Sequence, residues 1–216
     1  MAQLCRPLWT VAAWESAFTE VYGGIAMAQV IAHVTMSLDG YMAGPDVGPE
    51  HPMGRGGERL HRWLFDDADE VDAAAARRQF ALTGAVLLGR RTFDVGVGVW
   101  GDTPYPAPCF VLTHHPAPDR TERSGTFTFV TTGLADALDQ ATVAAGERAV
   151  TLMGADVVQQ VLRAGLLDEL HLQLAPVMLG GGRRLFEHLG TDHIELERLA
   201  VEESPHVTHL RFRVVK

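Results

Sequence analysis

The chain has 216 residues, of which 47% are hydrophobic and 21% charged, so it can form a full core and long disordered tracts are not expected. The formal net charge is −9 and Lys216 is the only lysine, so we do not expect nucleic acid as a partner. Cys5 and Cys109 lack the spacing of a zinc site or disulfide framework, and no apolar run approaches the roughly 20 residues of a membrane span, which predicts a cytoplasmic protein without a metal or a membrane partner.

Residues 1–26 precede the first predicted strand and contain no motif associated with chemistry. Apolar residues recur at helical spacing between residues 11 and 21, which favours a short amphipathic helix. The alternative is that the natural start is Met27 and that the preceding residues are an upstream extension. We therefore divide the chain into an extension, 1–26, and one domain, 27–216, and expect the extension to be dispensable for folding.

Strands and helices alternate along the rest of the chain. The predicted strands are residues 30–36, 85–89, 109–113, 127–131, 149–153, 169–178, 193–203 and 206–215, and the predicted helices are 59–80, 92–95, 134–145 and 156–164. Short strands that alternate with helices favour a mostly parallel sheet with covered faces. The alternating polar and apolar residues of the last two strands favour an antiparallel pair at one edge. The fold class predicted is a single α/β domain.

The first predicted strand runs into the sequence SLDGYMAG, residues 37–44. Asp39 before Gly40 is typical of a turn in which the carboxylate accepts backbone N–H groups. The alternative is that Asp39 relays a proton to a substrate. If this strand ends at a ligand crevice, the small residues that follow would let a flat ring lie against the backbone.

Two strand-to-helix junctions are suited to phosphate. In AVLLGRRTFD a buried strand ends at Gly89, and Arg90 and Arg91 precede a helix. In AVTLMGADVVQQVL a strand ends at the small pair Gly154-Ala155. Helix N-termini attract phosphate and arginine can bind anionic oxygens with two hydrogen bonds, although a solvated basic turn and an ordinary junction are the alternatives.

Two further motifs contain polar or glycine-rich residues. The strand in CFVLTHHP ends at Thr113, His114 and His115, where side chains face the ligand crevice of open α/β sheets; surface histidines are the alternative. The sequence GVGVWG, residues 96–101, formally matches the dinucleotide fingerprint, but it follows a predicted helix instead of a strand, so we do not interpret it as a phosphate loop. Three strand ends with such features suit one extended anionic ligand, and a dinucleotide is the natural candidate.

The order of VTMSLDGYMAG, LLGRRTF, FVLTHHP and TLMGADVVQQVLRAGLLDELHLQLAPVMLGGGRRLF resembles the dihydrofolate reductase-like family. Within that family the chain is similar, from Ala28 to Lys216, to the reductase domain of riboflavin-pathway deaminase-reductases and their stand-alone relatives. The resemblance implies a three-layer fold in which a mixed, mostly parallel sheet of eight strands has helices on both faces and antiparallel C-terminal strands. It also implies NADPH as the cofactor, a small-molecule substrate and a homodimer.

Carried over by motif, the resemblance assigns sites for the nicotinamide, the 2′-phosphate and the pyrophosphate, with Arg90 facing the 2′-phosphate. The cofactor-binding residues implied are Thr35, Met42, Ala43, Gly89, Arg90, Arg91, Thr92, Thr113, His114, Met153, Gly154, Ala155, Asp156 and Val157. The catalytic candidates are Asp39 and Glu58, the second because dihydrofolate reductases hold a carboxylate near the first long helix.

The implied function is an NADPH-dependent reductase that transfers hydride to a small heterocycle or a ribosylamino-pyrimidine, of the 5-amino-6-(5-phosphoribosylamino)uracil reductase type. The chain departs from riboflavin-pathway reductases at two places. Met153 stands where they tend to have Glu, and GDTPYPAPCFVLT replaces their Asp-Pro-x-Leu-Thr-x-Arg segment. Two alternatives therefore stay open: a non-catalytic nucleotide-binding module and a flavin-binding oxidoreductase.

Overall fold

The computed structural model describes residues 28–66 and 69–216. The extension and the helix predicted within it lie outside the described residues. The strands are β1 Val30–Ser37, β2 Tyr41–Ala43, β3 Thr83–Gly89, β4 Cys109–Leu112, β5 Arg120–Thr121, β6 Thr126–Val130, β7 Ala149–Met153, β8 Glu169–Ala175, β9 Arg183–Arg184, β10 Leu196–Glu203 and β11 Thr208–Val214. The helices are α1 Arg62–Phe65, α2 Glu70–Leu82, α3 Arg90–Trp100, α4 Leu134–Ala145 and α5 Ala155–Arg163, and a 3-10 helix, Gly57–His61, precedes α1.

In the described part of the chain, nine strands form one mixed sheet in the order β10-β11-β8-β1-β7-β3-β4-β6-β5. The pairs from β8 across to β6 are parallel, whereas β10, β11 and β5 are antiparallel to their neighbours. This confirms the predicted α/β class, with a mostly parallel sheet and antiparallel C-terminal strands. The implied count of eight strands is one short, because the two-residue β5 adds an edge strand.

Helices cover both faces of the sheet, and β3 shows how. Successive side chains of a strand point to opposite faces. Leu87 belongs to one buried apolar cluster together with Leu138 of α4, whereas Leu88 belongs to a second cluster with Phe93 of α3. The near-continuous apolar sequence of β3 therefore reflects burial on both sides.

Two predicted helices differ from the structure. The helix predicted at 59–80 is interrupted, and α2 begins only at Glu70, where the Asp69 side chain caps it by accepting from Asp72 N at 3.0 Å. The short helix predicted at 92–95 is longer and includes GVGVW, with Gly96 lying against the Trp100 indole. This motif is therefore helical and does not form a phosphate loop.

Among residues 28–66 and 69–216, we find no helix whose length and apolar character would suit it to crossing a bilayer.

Gly84 tests how closely α4 packs on the sheet. A methyl group at this buried position would lie 2.6 Å from Ala145 O and 2.7 Å from Arg148 Cβ, closer than normal van der Waals contact. We expect Gly84→Ala to lower the free energy of unfolding by about 1–3 kcal/mol, measured by denaturant titration, because α4 must shift. Gly98→Ala is the control: that helical glycine has no neighbour within 4 Å, so alanine should be neutral or stabilising by up to about 1 kcal/mol. Equal stability of the Gly84 variant and the parent would contradict this packing.

Candidate functional site

A cleft of about 880 Å³ opens where β1 and β7 separate. The parallel pairing of β1 with β7 ends at Ala32 and Leu152, whereas its pairing with β8 continues to Ser37 and Ala175. The second half of β1 therefore borders a gap, and His33, Val34 and Thr35 line it. This is the crevice outside the carboxyl ends of strands where open α/β sheets bind ligands.

One side of the cleft, which we call the junction side, is formed by the junctions that follow β3 and β7. The helices that begin there, α3 and α5, are capped by Gly89 and Gly154, and neither has a side-chain cap. Their first N–H groups are therefore available to a ligand. Because β3 and β7 pair at Leu88 and Met153, the two helix N-termini lie side by side, an arrangement that attracts anionic groups.

Gly154 shows why a small residue is needed at this junction. Its φ is +92°, and a Cβ here would overlap the Thr92 hydroxyl at the start of α3. The glycine thus lets the β7–α5 backbone pass directly over the first turn of α3. Substitution would separate the two helix N-termini that form the junction side.

Three arginines lie at or near the junction side, and each already has a protein partner. Arg90 Nε is 2.8 Å from Asp94 Oδ1, and its guanidinium lies 5.6 Å from the centroid of the Phe129 ring. Arg91 donates weakly to the carbonyl of residue 47 at 3.4 Å, and Arg183 pairs with Asp156. These ion pairs are exposed and worth little, so an anionic ligand can compete for the guanidinium groups.

The Asp39 carboxylate joins the turn after β1 to the loop after β8. It accepts hydrogen bonds from Ser37 Oγ at 2.6 Å, Leu179 N at 3.1 Å and Gly180 N at 2.8 Å. The Ser37 hydroxyl and the Gly180 and Leu179 amides lower the pKa of Asp39. Its stabilising effect is therefore present at neutral pH and is lost only as the pH falls through this lowered pKa.

Opposite the junction side, the cleft is walled by five aromatic side chains from three helices and a loop; we call this the aromatic side. They are Trp63, Phe65, Phe80, Trp100 and Tyr105. The Phe80 and Tyr105 rings pack 5.0 Å apart, and the Tyr105 hydroxyl accepts a hydrogen bond from Gln79. Burial raises the pKa of Tyr105 to about 12, with the Gln79 hydrogen bond opposing the shift, so the phenol stays protonated.

A row of polar side chains crosses the sheet beneath the aromatic side. Thr35 of β1 pairs with Gln173 of β8, which pairs with His209 of β11, and all three are buried. Trp63 Nε1 donates to Thr35 Oγ1 at 3.3 Å, and the Trp63 ring meets the His209 ring edge-on at 5.2 Å. His209 Nε2 lies 2.7 Å from Oδ1 of Asp72, a carboxylate with 0% exposure on α2. This polar row fixes α1 and α2 to the sheet and leaves Thr35 and Gln173 facing the cleft.

The two histidines that line the cleft are neutral near pH 7. Burial, and then the charge of His171, lowers the pKa of His33 well below its ordinary value. The His33 and His171 imidazoles meet edge-on at 4.5 Å. Burial also lowers the pKa of His61, and the Gly57 carbonyl opposes that shift. Neither ring therefore contributes positive charge to the cleft.

The structure brings most of the residues predicted for the cofactor into one place. Those that line the cleft are Thr35, Met42, Ala43, Arg91, Thr92, Met153, Gly154, Ala155 and Asp156. Gly89 is the last residue of β3, and Arg90, Thr113 and His114 follow β3 and the neighbouring β4; none of the four lines the cleft, and the Val157 side chain is in the core. Of the catalytic candidates, Glu58 is exposed outside the cleft and Asp39 is bound in its turn.

Sequence reasoning missed the polar floor and the aromatic walls. His33 and Gln173 alternate with apolar residues in β1 and β8, but only the pairing of those strands places both in the cleft. Asp72 is the third residue of α2, and acidic residues are common in the first turn of a helix. Nothing in the neighbouring sequence therefore marks Asp72 as the buried carboxylate. The one sequence signal for the polar floor was that these polar residues alternate with apolar residues within their strands.

Comparison with known proteins agrees with this geometry. Among solved structures, a protein of Shewanella sp. PV-4 provisionally named for riboflavin biosynthesis matches with a TM-score of 0.69 and 22% identity, over 87% of this chain and 99% of that one. A diaminohydroxyphosphoribosylaminopyrimidine deaminase/5-amino-6-(5-phosphoribosylamino)uracil reductase of Thermotoga maritima matches with a TM-score of 0.61 and 15% identity, over 95% of this chain and 63% of that one. Dihydrofolate reductase of Enterococcus faecalis matches with a TM-score of 0.53 and 15% identity, over 88% and 100% of the two chains.

No curated protein matches the chain. The structural neighbours establish the dihydrofolate reductase-like fold, as the motifs had implied. The RibD C-terminal domain matches residues 28–210, which is most of the chain. This protein therefore belongs to the RibD C-terminal domain family.

Proposed function

We propose that the protein is an NADPH-dependent reductase of a small, flat heterocycle. One observation carries the proposal: a single cleft joins two helix N-termini that lack side-chain caps to the aromatic side, across the gap between β1 and β7. Such a cleft suits a ligand that is anionic at one end and a ring at the other. When bound, the nicotinamide supplies hydride, and the protein supplies position and electrostatics.

The residues of the junction side fit the phosphates of this cofactor. The α3 and α5 N-termini offer backbone donors, and Arg91 adds a cation within the cleft. Because Gly89 pairs with Leu112, Arg90 and Thr113 follow neighbouring strand ends, where they could grip the 2′-phosphate together. Met42 and Ala43 would border the nicotinamide, next to Thr35 on the floor.

Water is the proton donor that we propose for this reduction. The carboxylates that line the cleft in the described part of the chain are Asp46 and Asp156, which pair with Arg55 and Arg183 and not with the aromatic residues. The raised pKa of Tyr105 makes its phenol a poor acid. The same observation favours a second candidate, a nucleotide-binding module without turnover. NADPH oxidation with a panel of pterins, folates and ribosylaminopyrimidines separates the two, and a yellow purified protein would point instead to flavin.

A homodimer is the assembly that we propose. β10 lies at one edge of the large sheet, and Leu196 and Val201 on it are 41% and 44% exposed. An edge strand with exposed apolar side chains tends to pair or be covered. A second copy that packs on β10 would cover both.

Light scattering tests the assembly. We expect a mass near twice that of the chain at micromolar concentration, and Val201→Glu should shift it towards the monomer because a buried, unpaired carboxylate is costly at an interface. A monomeric parent protein would contradict the proposal.

Arg90 tests the cofactor. We expect tighter binding of NADPH than of NADH, because a charge-assisted hydrogen bond to the 2′-phosphate is worth about 1.5–3 kcal/mol, or roughly 10- to 150-fold in affinity. Arg90→Ala should weaken NADPH by a similar factor and leave NADH nearly unchanged, measured by fluorescence titration. Equal dissociation constants of the parent for both cofactors would remove the argument.

Asp39 tests whether the turn is structural or catalytic. Asp39→Asn keeps an acceptor for Ser37 or the loop amides and should preserve most turnover, whereas Asp39→Ala removes all three hydrogen bonds and should weaken cofactor binding. Steady-state kinetics and NADPH titration of both variants measure this. Loss of turnover in Asp39→Asn with NADPH affinity intact would instead assign Asp39 to proton transfer.

A further inference from the structure

We propose that the aromatic side takes an uncharged, flat, conjugated ring that carries no phosphate group. The inference rests on the proposed reductase function and narrows its substrate class. Three features of the described residues carry it: where the cations lie, where the carboxylates lie, and what the aromatic side offers instead of charge.

The first feature is the position of the cations. Arg91 and Arg183 are the arginines that line the cleft, and both lie on the junction side. In the described part of the chain, no lysine or arginine lines the aromatic side, and His33 and His61 are neutral there. A phosphate monoester carries a charge of about −1.5 to −2 at pH 7, and burial of such a charge without a cationic partner is strongly unfavourable.

The second feature is the acidic start of α2. A helix N-terminus can substitute for a cation, but Asp69, Glu70 and Asp72 occupy the first turn of α2 and bring negative charge to it. Arg77 lies on the same helix, but it lines a neighbouring pocket and not the cleft. The α2 residues that line the cleft, Ala76, Gln79 and Phe80, belong to its C-terminal half, where the helix dipole is negative, so α2 offers an anion no favourable charge at the aromatic side.

The third feature is the set of apolar rings and neutral polar groups on the aromatic side. The exposed Phe80 ring and the half-buried Trp100 indole offer apolar faces against which a flat ring can stack, and the buried Trp63 and Tyr105 rings complete the lining. Gln173 offers both a donor and an acceptor at the floor, and the Thr35 hydroxyl, which accepts from Trp63, can still donate. These groups suit ring nitrogens and carbonyls, which favours a polar but uncharged heterocycle.

This substrate differs from the one named for the Thermotoga maritima neighbour, whose name contains a phosphoribosyl group. The aromatic side of the present chain has nothing among its described residues to neutralise such a group. Any phosphate in a ternary complex would belong to the ligand of the junction side.

Matched ligands test the inference directly. We would titrate the full chain with riboflavin and FMN, and with uridine and UMP, following quenching of tryptophan fluorescence while NADP⁺ saturates the junction side. Each pair differs by one phosphate monoester. We expect at least one uncharged ring to bind, and its phosphorylated partner to bind at least 10-fold more weakly. Equal or tighter binding of the phosphorylated member, or no binding of either uncharged ring, overturns the proposal.

A pair of variants locates the effect on the aromatic side. Phe80 and Leu82 lie on α2 with 44% and 41% exposure, but only Phe80 lines the cleft. Phe80→Arg supplies the missing cation and should tighten FMN or UMP binding about 10-fold, whereas Leu82→Arg, with the same charge on the same helix, should leave it unchanged. Equal responses of the two variants would show that the added charge does not face the ring site, and would overturn the placement.

The two proposals fail separately. A folded chain that does not bind NADP⁺ in a separate titration contradicts the reductase proposal, while the comparison of Phe80→Arg with Leu82→Arg still reports on the ring site. NADP⁺ binding combined with a preference for phosphorylated rings contradicts only the substrate class.

Discussion

The separation of β1 from β7 is the constraint on which the site depends. β1 pairs with β7 only as far as Ala32, but its pairing with β8 continues for five more residues, to Ser37. The chain therefore keeps a continuous sheet on one side of β1 and opens a gap on the other. Because α3 and α5 start at the carboxyl ends of β3 and β7, their N-termini necessarily arrive at the edge of that gap.

The polar row beneath the aromatic side holds the second wall of the cleft in place. Helices on a sheet usually pack through apolar side chains, but here Asp72 and Trp63 reach the sheet through His209 and Thr35. Loss of one partner of a buried hydrogen-bonded pair such as Asp72 and His209 costs about 1–3 kcal/mol, because the other is left desolvated and without a partner. The same contacts set the position of Trp63, so the residues that attach the helices to the sheet also shape the aromatic side of the cleft.

The two sides of the cleft differ in electrostatics. The junction side combines helix N-termini with exposed arginines, whereas the aromatic side contains neutral imidazoles and a protonated phenol. With a net charge of −9, the protein as a whole does not attract anions, so affinity for them depends on the local arrangement at the junctions. A ligand with its charge at one end and a ring at the other is oriented by this difference.

Features encoded by neighbouring residues could be predicted from the sequence, and they include most of the junction side. Helix α4 and strand β7 have the predicted bounds, and the predicted junctions at Gly89 and Gly154 are where α3 and α5 begin. Motif order also indicated the family correctly, because it records the succession of strand ends. Charge and composition set no obstacle to this fold.

The aromatic side was decided by tertiary structure alone. Gln173 and His209 become neighbours of Thr35 through the register of β8 and β11, and Asp72 becomes buried through α2 packing on that row. Glu58, chosen by its place near the first long helix, faces solvent because the helix begins only after the Asp69 cap. Periodicity and caps act over a few residues, whereas the register of β1 against β8 and the break between β1 and β7 are set by contacts more than 100 residues apart in the chain.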